Sequence, residues 1–273
     1  MDILTLDLKK VLVAGTFTAW LLTAPPLTLP AVYGYEVGQC LAPAHHEEVT
    51  ETALKATICP ANLKVVVLGA AGEANRGDLQ GDDSYRHFKD KNLLKTLNYV
   101  EREKRKVLNF CATADVDQKS RVRALYHFGL ILHTLQDFYS NSNYLELKLD
   151  ELRKEHHALN SDSLYSIPLI DWNRFLSLLR NGNKTSIVVE GFDKADAGDP
   201  EARMTAGGIT YLALAKELAV RETERQWLQL ESLIKAKLQG SGAAVSVSLR
   251  NAGCPEQVVS DVLKGGENLV PEI

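Results

Sequence analysis

Between residues 118 and 139, apolar side chains return every three or four positions: Leu125, Phe128, Leu132, Leu135 and Tyr139. That period is helical, and a stripe this long predicts a core helix around which the rest of the chain must pack. Two residues within it are out of keeping with an apolar setting. His133 and Asp137 stand four positions apart, so a helix sets them on one face, a turn from each other. Leu130, Ile131 and Leu132 precede the histidine, while Leu135, Phe138 and Tyr139 surround the acid. Burying a carboxylate there costs roughly several kcal/mol unless something neutralises it. A metal ion would do so, and imidazole and carboxylate both suit zinc. The plain alternative is an exposed His–Asp pair.

The helical period dominates the remaining sequence as well. Helices are expected over residues 45–57, with Pro43 before and Pro60 ending it, and over 91–110, 142–157, 205–237 and 258–263. The long 205–237 segment carries a seam of Leu212, Ala215, Ala219, Thr223, Trp227, Leu230 and Ile234. Residues 63–74 are ambiguous, because Val65, Val66 and Val67 suit either a short strand or a buried helix. Gly, Asp and Asn make 69–83 read as a loop, turns interrupt 160–200, and 186–190 has the composition of a strand. No internal repeat is present. With 45% hydrophobic residues in 273, the chain can fill one large core. The expected fold is all-α: a single compact multi-helix domain with long loops.

The first 34 residues read as a secretory signal peptide. Lys9 and Lys10 precede a 14-residue apolar run (11–24), Pro25 and Pro26 break it, and Ala31, Val32 and Gly34 follow like a processing site. An uncleaved anchor is the alternative, though a spanning helix needs about 20 apolar residues. The domain would then be residues 35–273, in a secreted protein. Export suggests that Cys40, Cys59, Cys111 and Cys254 form two disulfides, for which three pairings are possible. The net charge of −4 is spread along the chain. Its one basic stretch, 89–106, alternates with Asp90, Glu101 and Glu103, as a solvated helix face does. Stable nucleic-acid binding is not indicated. Nucleophile elbow, P-loop and dinucleotide fingerprint are all missing from the sequence.

The stretch Leu132-His-Thr-Leu-Gln-Asp-Phe-Tyr-Ser-Asn-Ser-Asn-Tyr-Leu-Glu146 closely resembles the central helix of Het-C-type proteins. These belong to the superfamily of zinc-dependent phospholipase C and the fungal single-strand nucleases. Three further blocks resemble the family in the same order. The segment from His46 to Leu54 is similar to its early helix, which opens on a metal-binding histidine. The segment Asn75-Arg-Gly-Asp78, with Tyr85-Arg-His-Phe88, is similar to its ligand loop. Ala215-Lys-Glu-Leu-Ala219, with Thr223 and Trp227, resembles its last long helix. Together these scattered blocks cover residues 44–235, and the central helix is the most specific.

The resemblance implies a cluster of up to three zinc ions that hydrolyses phosphoester bonds by metal-activated water. Carried over residue by residue, one site would use Asp78, His87, His133 and Asp137. A second would share Asp137 as a bridge and add His46, completed in the superfamily by the mature N-terminal amine and carbonyl. Asp82 and Asp83 compete with Asp78 and are the candidate catalytic bases. His127 lies on another face of its helix and suits core packing or a supporting hydrogen bond, and His156 and His157 have no ligand spacing. The pattern breaks at the third metal: Asn141 stands where the family continues with a histidine, and the segment 207–212 carries none. One or two ions are therefore expected, with the third position empty. The implied partner is a phospholipid or another phosphoester, with transient contact at a membrane surface. A catalytically degenerate relative, keeping a structural metal in a binding protein, is the second reading.

Overall fold

A computed structural model describes residues 41–75, 84–155, 161–189 and 209–264. In chain order the helices are α1 (Pro43–Leu54), α2 (Pro60–Asn75), α3 (Leu93–Cys111), α4 (Gln118–Asn141) and α5 (Tyr144–Glu155). After them come α6 (Ser161–Tyr165), α7 (Trp172–Arg180), α8 (Tyr211–Lys237), α9 (Gln239–Asn251) and α10 (Glu256–Lys264). A short 3₁₀ turn, Ser84–His87, precedes α3. Several starts are written in the sequence as caps. The Asp117 side chain accepts from the backbone N–H groups of Lys119 and Ser120, and Asn92, Asp171 and Thr210 do the same for α3, α7 and α8. The described residues are thus all-α.

Helix α4 is the axis, with α2, α3 and α8 packed along it and α1 crossing beside α2 and α8. Its apolar side chains serve two separate cores. Leu125, Phe128, Ile131, Leu132 and Leu135 join Val65, Val66, Val100 and Trp227 in one. Phe138 and Tyr139 join Val49, Phe88, Leu145 and Leu218 in the other. Each such buried side chain contributes about 1.5–3 kcal/mol. The polar residues His133, Gln136 and Asp137 lie where one core gives way to the other, fixed by packing on both sides.

Several expectations need correction. Residues 63–74, which suited either strand or buried helix, are helix; the loop expected over 69–83 is helical as far as Asn75, and Gly69 is a crossing point within α2. A Cβ there would lie 2.3 Å from the Tyr126 carbonyl oxygen, and one on Gly129 would lie 2.2 Å from that of Val66. The two glycines let α2 and α4 touch backbone to backbone, so the residue that read as a loop marker is a packing device. Residues 186–190 form no strand among those described; Val189 makes only an isolated bridge to Ser142. Helix α9, whose glycines and serines give no clear apolar stripe, was not anticipated. Two disulfides do not form, because Cys59, Cys111 and Cys254 are free thiols. Cys111 packs as a small apolar residue, and burial pushes its pKa up to about 12. No described helix is long and apolar enough to cross a membrane. The proposed signal peptide and Cys40 lie outside the described residues.

Candidate metal centre

Helix α4 carries His133 and Asp137 inward, at 1% and 0% exposure, with Nε2 3.1 Å from Oδ2. The helical spacing alone makes this pair. Packing then adds two more imidazoles from distant parts of the chain. His46, buried on α1, places Nε2 3.4 Å from Asp137 Oδ1. His87, closing the 3₁₀ turn, places Nδ1 3.7 Å from Oδ2 and 2.8 Å from His133 Nε2. That turn is pinned to α4 by the Thr134 hydroxyl, which donates to the Arg86 carbonyl at 2.7 Å, and by the Asn141 amide, which donates to the His87 carbonyl at 2.6 Å. Phe88, buried directly after it, takes the left-handed φ of 51° that turns the chain away.

Hydrogen-bond direction follows from the partners. His133 Nδ1 lies 2.9 Å from the Ala70 carbonyl oxygen, which can only accept, so Nδ1 carries the proton and Nε2 faces the acid with its lone pair. His87 is then the donor in the 2.8 Å contact between the imidazoles. Three buried acceptors are left with no hydrogen-bond partner: His46 Nε2 and both oxygens of Asp137. Burial would raise the Asp137 carboxyl, but the imidazoles of His133 and His46 outweigh it and hold it well below the usual carboxylate range. Burial pushes His133 below its ordinary value, aided by His46 and His87 and opposed by Asp137. That lowering requires positive charge among the imidazoles; with His133 neutral, as its burial favours, the ionised carboxylate faces ring lone pairs in a buried pocket, and a cation there would supply the missing charge.

The dimensions suit one. Ligand atoms around a tetrahedral zinc, each about 2.0–2.1 Å from the ion, lie roughly 3.3 Å apart. The 3.1 and 3.4 Å separations of His133 and His46 from Asp137 straddle that figure, whereas the 2.8 Å between His87 and His133 is a hydrogen-bond distance that would have to open for His87 to join. His46, His133 and Asp137 each offer one ligand atom within 4.8 Å of the others, so this group could hold a metal ion. Outer hydrogen bonds of the kind that orient metal-binding histidines are also in place, from His133 Nδ1 to the Ala70 carbonyl and from His46 Nδ1 to Gln136 Oε1. The two carboxylate oxygens face different ligands, Oδ1 toward His46 and Oδ2 toward His133 and His87.

No protein-family model, curated protein or solved structure matches the chain.

Of the residues singled out in the sequence, His46, His87, His133 and Asp137 converge. Asp78, Asp82, Asp83, His156 and His157 lie outside the described residues. His127 is apart, half-buried and 2.6 Å from Glu103. Asn141 is completely buried and ties down the turn that bears His87. Gln136 and Thr50 carried no role in the sequence, and Thr223 read only as part of the α8 seam; all three lie behind His46. The signal available was a polar side chain on the core-facing side of its helix, clearest for Gln136 in the apolar run of α4.

Proposed function

We propose that this chain is a zinc-dependent phosphoesterase of the phospholipase C and single-strand nuclease kind, acting outside the cytoplasm. The observation that carries the metal is the ring of unpartnered buried acceptors about Asp137. The hydrolytic reading is supported by the likeness of residues 132–146 to the family's central helix, and by an acid whose two oxygens face separate histidines, as a bridge between two ions would. In this reading His46, His133 and Asp137 would hold the metal, and His87 would join them once its Nδ1 gives up the proton it now donates to His133. A bound divalent cation supplies Lewis acidity, lowering the pKa of water and neutralising charge on a phosphoryl oxygen. The chain's own residues orient the imidazoles and exclude bulk water. Phospholipid headgroups and other phosphodiesters are the proposed substrates.

One observation favours the second reading, a degenerate relative with a structural metal. His46, His133 and Asp137 are at most 1% exposed, and only His87, at 8%, reaches toward the surface. The two readings separate on turnover. The purified mature chain, loaded with zinc, is assayed on bis(4-nitrophenyl) phosphate and on phosphatidylcholine vesicles. Chelator-sensitive hydrolysis that falls more than about a hundredfold in a folded His133→Ala variant, beyond the loss expected of an outer hydrogen-bond partner, supports the enzyme. Stoichiometric zinc without turnover supports the structural metal. A chain that binds no metal defeats both.

A further inference from the structure

The polar residues behind His46 form a relay whose direction can be worked out from its far end. The Thr223 hydroxyl on α8 donates to the Ala219 carbonyl one turn back, at 2.8 Å. Its only proton is thereby committed, and toward any other neighbour Thr223 Oγ1 can act only as an acceptor. The neighbour is the side-chain amide of Gln136, 3.0 Å away, so the Gln136 nitrogen must face Thr223. The same nitrogen donates its second proton to Thr50 Oγ1 on α1, at 3.1 Å. Both donors are used, and the amide cannot flip. Its oxygen is left facing His46 Nδ1 at 2.7 Å, which makes Nδ1 the protonated ring nitrogen. Nε2 is therefore the nitrogen offered to Asp137. All four side chains are at 0% exposure, so water competes for none of these bonds.

We infer that Gln136 is a positioning residue: locked by Thr223 and Thr50, it fixes the tautomer and ring orientation of His46 and so aims its Nε2 at the metal centre. The inference rests on the metal reading only for its effect on affinity; the tautomer itself is a property of the metal-free chain. Alternatives within the same geometry fare worse. A relay kept only for packing would have no need of the amide's particular orientation, and an apolar residue of Gln136's size would fill the same space.

The test compares wild type with Gln136→Met, Gln136→Glu and Thr223→Val in the full mature chain. Zinc affinity is measured by chelator competition, and the protonation of His46 by long-range ¹H–¹⁵N correlation on ¹⁵N-histidine-labelled protein. Gln136→Met keeps the volume and removes the acceptor, and should weaken zinc binding about 10–100-fold, the range known for outer partners of ligating histidines. Gln136→Glu keeps an acceptor oxygen toward Nδ1 and should recover zinc affinity to within a few-fold of wild type. In wild type His46 Nδ1 should carry a proton with and without zinc, whereas Thr223→Val, which frees the amide, should populate the other tautomer. Should Gln136→Met not fold, Thr223→Val and the wild-type spectrum still decide. The inference is overturned if His46 Nδ1 is bare in wild type, or if Gln136→Met lowers thermal stability but leaves zinc affinity and tautomer unchanged. Failure of wild type to bind zinc, with His46 Nδ1 protonated, would defeat the metal reading and leave the positioning intact.

Discussion

Asp137 and Glu222 are both completely buried, on α4 and α8, and their surroundings are opposite. Glu222 is ringed by donors. The Tyr139 hydroxyl reaches it at 2.7 Å, the Trp172 indole N–H at 2.9 Å and the Gln226 amide at 2.7 Å, and Arg225 pairs with it. Burial, with Glu222 beside it, raises the Tyr139 pKa well above its ordinary value, so this phenol stays a donor. Asp137, only two residues from Tyr139, has no hydrogen-bond partner on either oxygen and faces only imidazole nitrogens, at 3.1 to 3.7 Å. Each acid incurs the desolvation cost of a buried charge. One is compensated within the fold, so it is architecture; the other lacks what would compensate it, and that lack marks the candidate site.

The contrast can be broken most directly with metal. Zinc at about a thousand times its dissociation constant should stabilise wild type by about 4 kcal/mol, and Asp137→Asn by nothing measurable. In chelator the same variant should equal or exceed wild type, since it removes an uncompensated charge. Thermal melts with and without zinc check this, and an Asp137→Asn protein that gains as much from zinc as wild type would end the distinction. Glu222→Ala should behave in reverse. It leaves buried donors on Tyr139, Trp172 and Gln226 without an acceptor and should cost about 3 kcal/mol, the low end for breaking a buried pair, because Arg225 retains 27% of its exposure to water. Urea unfolding measures that loss, and zinc affinity should stay within a few-fold of wild type.

The first acid could be picked out from the sequence and the second could not. Asp137 stands in an apolar run one turn from a histidine, and helical geometry alone brings the pair together. Glu222 falls in a helix with many charged neighbours, and its donors come from α4, α7 and α8, so only tertiary packing assembles the cage. The same divide runs through the fold. α4 and α8 write their buried faces as periodic stripes. α2 is apolar on most of its surface, so no contrast distinguishes helix from strand, and Gly69 imitates a turn because its role is a contact with Gly129. His46 and His87 were found through resemblance, whereas their spacing to His133 carries no local signal. The disulfides were inferred from the expected export, and cysteine spacing could not show that these thiols stay free.

Glu103 provides an intermediate case and the smallest expected effect. It is 2% exposed on α3, with His127 Nδ1 2.6 Å from one oxygen and Lys106 Nζ 3.0 Å from the other. Burial works to raise its pKa, but the hydrogen bonds and charges of His127 and Lys106 prevail and lower it. A carboxyl whose folded pKa is depressed adds stability above its unfolded value, about 4.3 for glutamate, and loses that contribution as pH falls through the folded value. Near pH 6, Glu103→Gln should therefore be less stable than wild type by about 1.5 kcal/mol, the low end for a hydrogen bond to a charged group. The gap should close as pH falls below about 4.3 toward the depressed folded value. Urea midpoints of the two proteins across that interval test the sign. Curves that stay parallel to the acid end would mean that Glu103 gains nothing from its cations, and that a buried carboxylate with partners cannot be told from one without them by its response to pH.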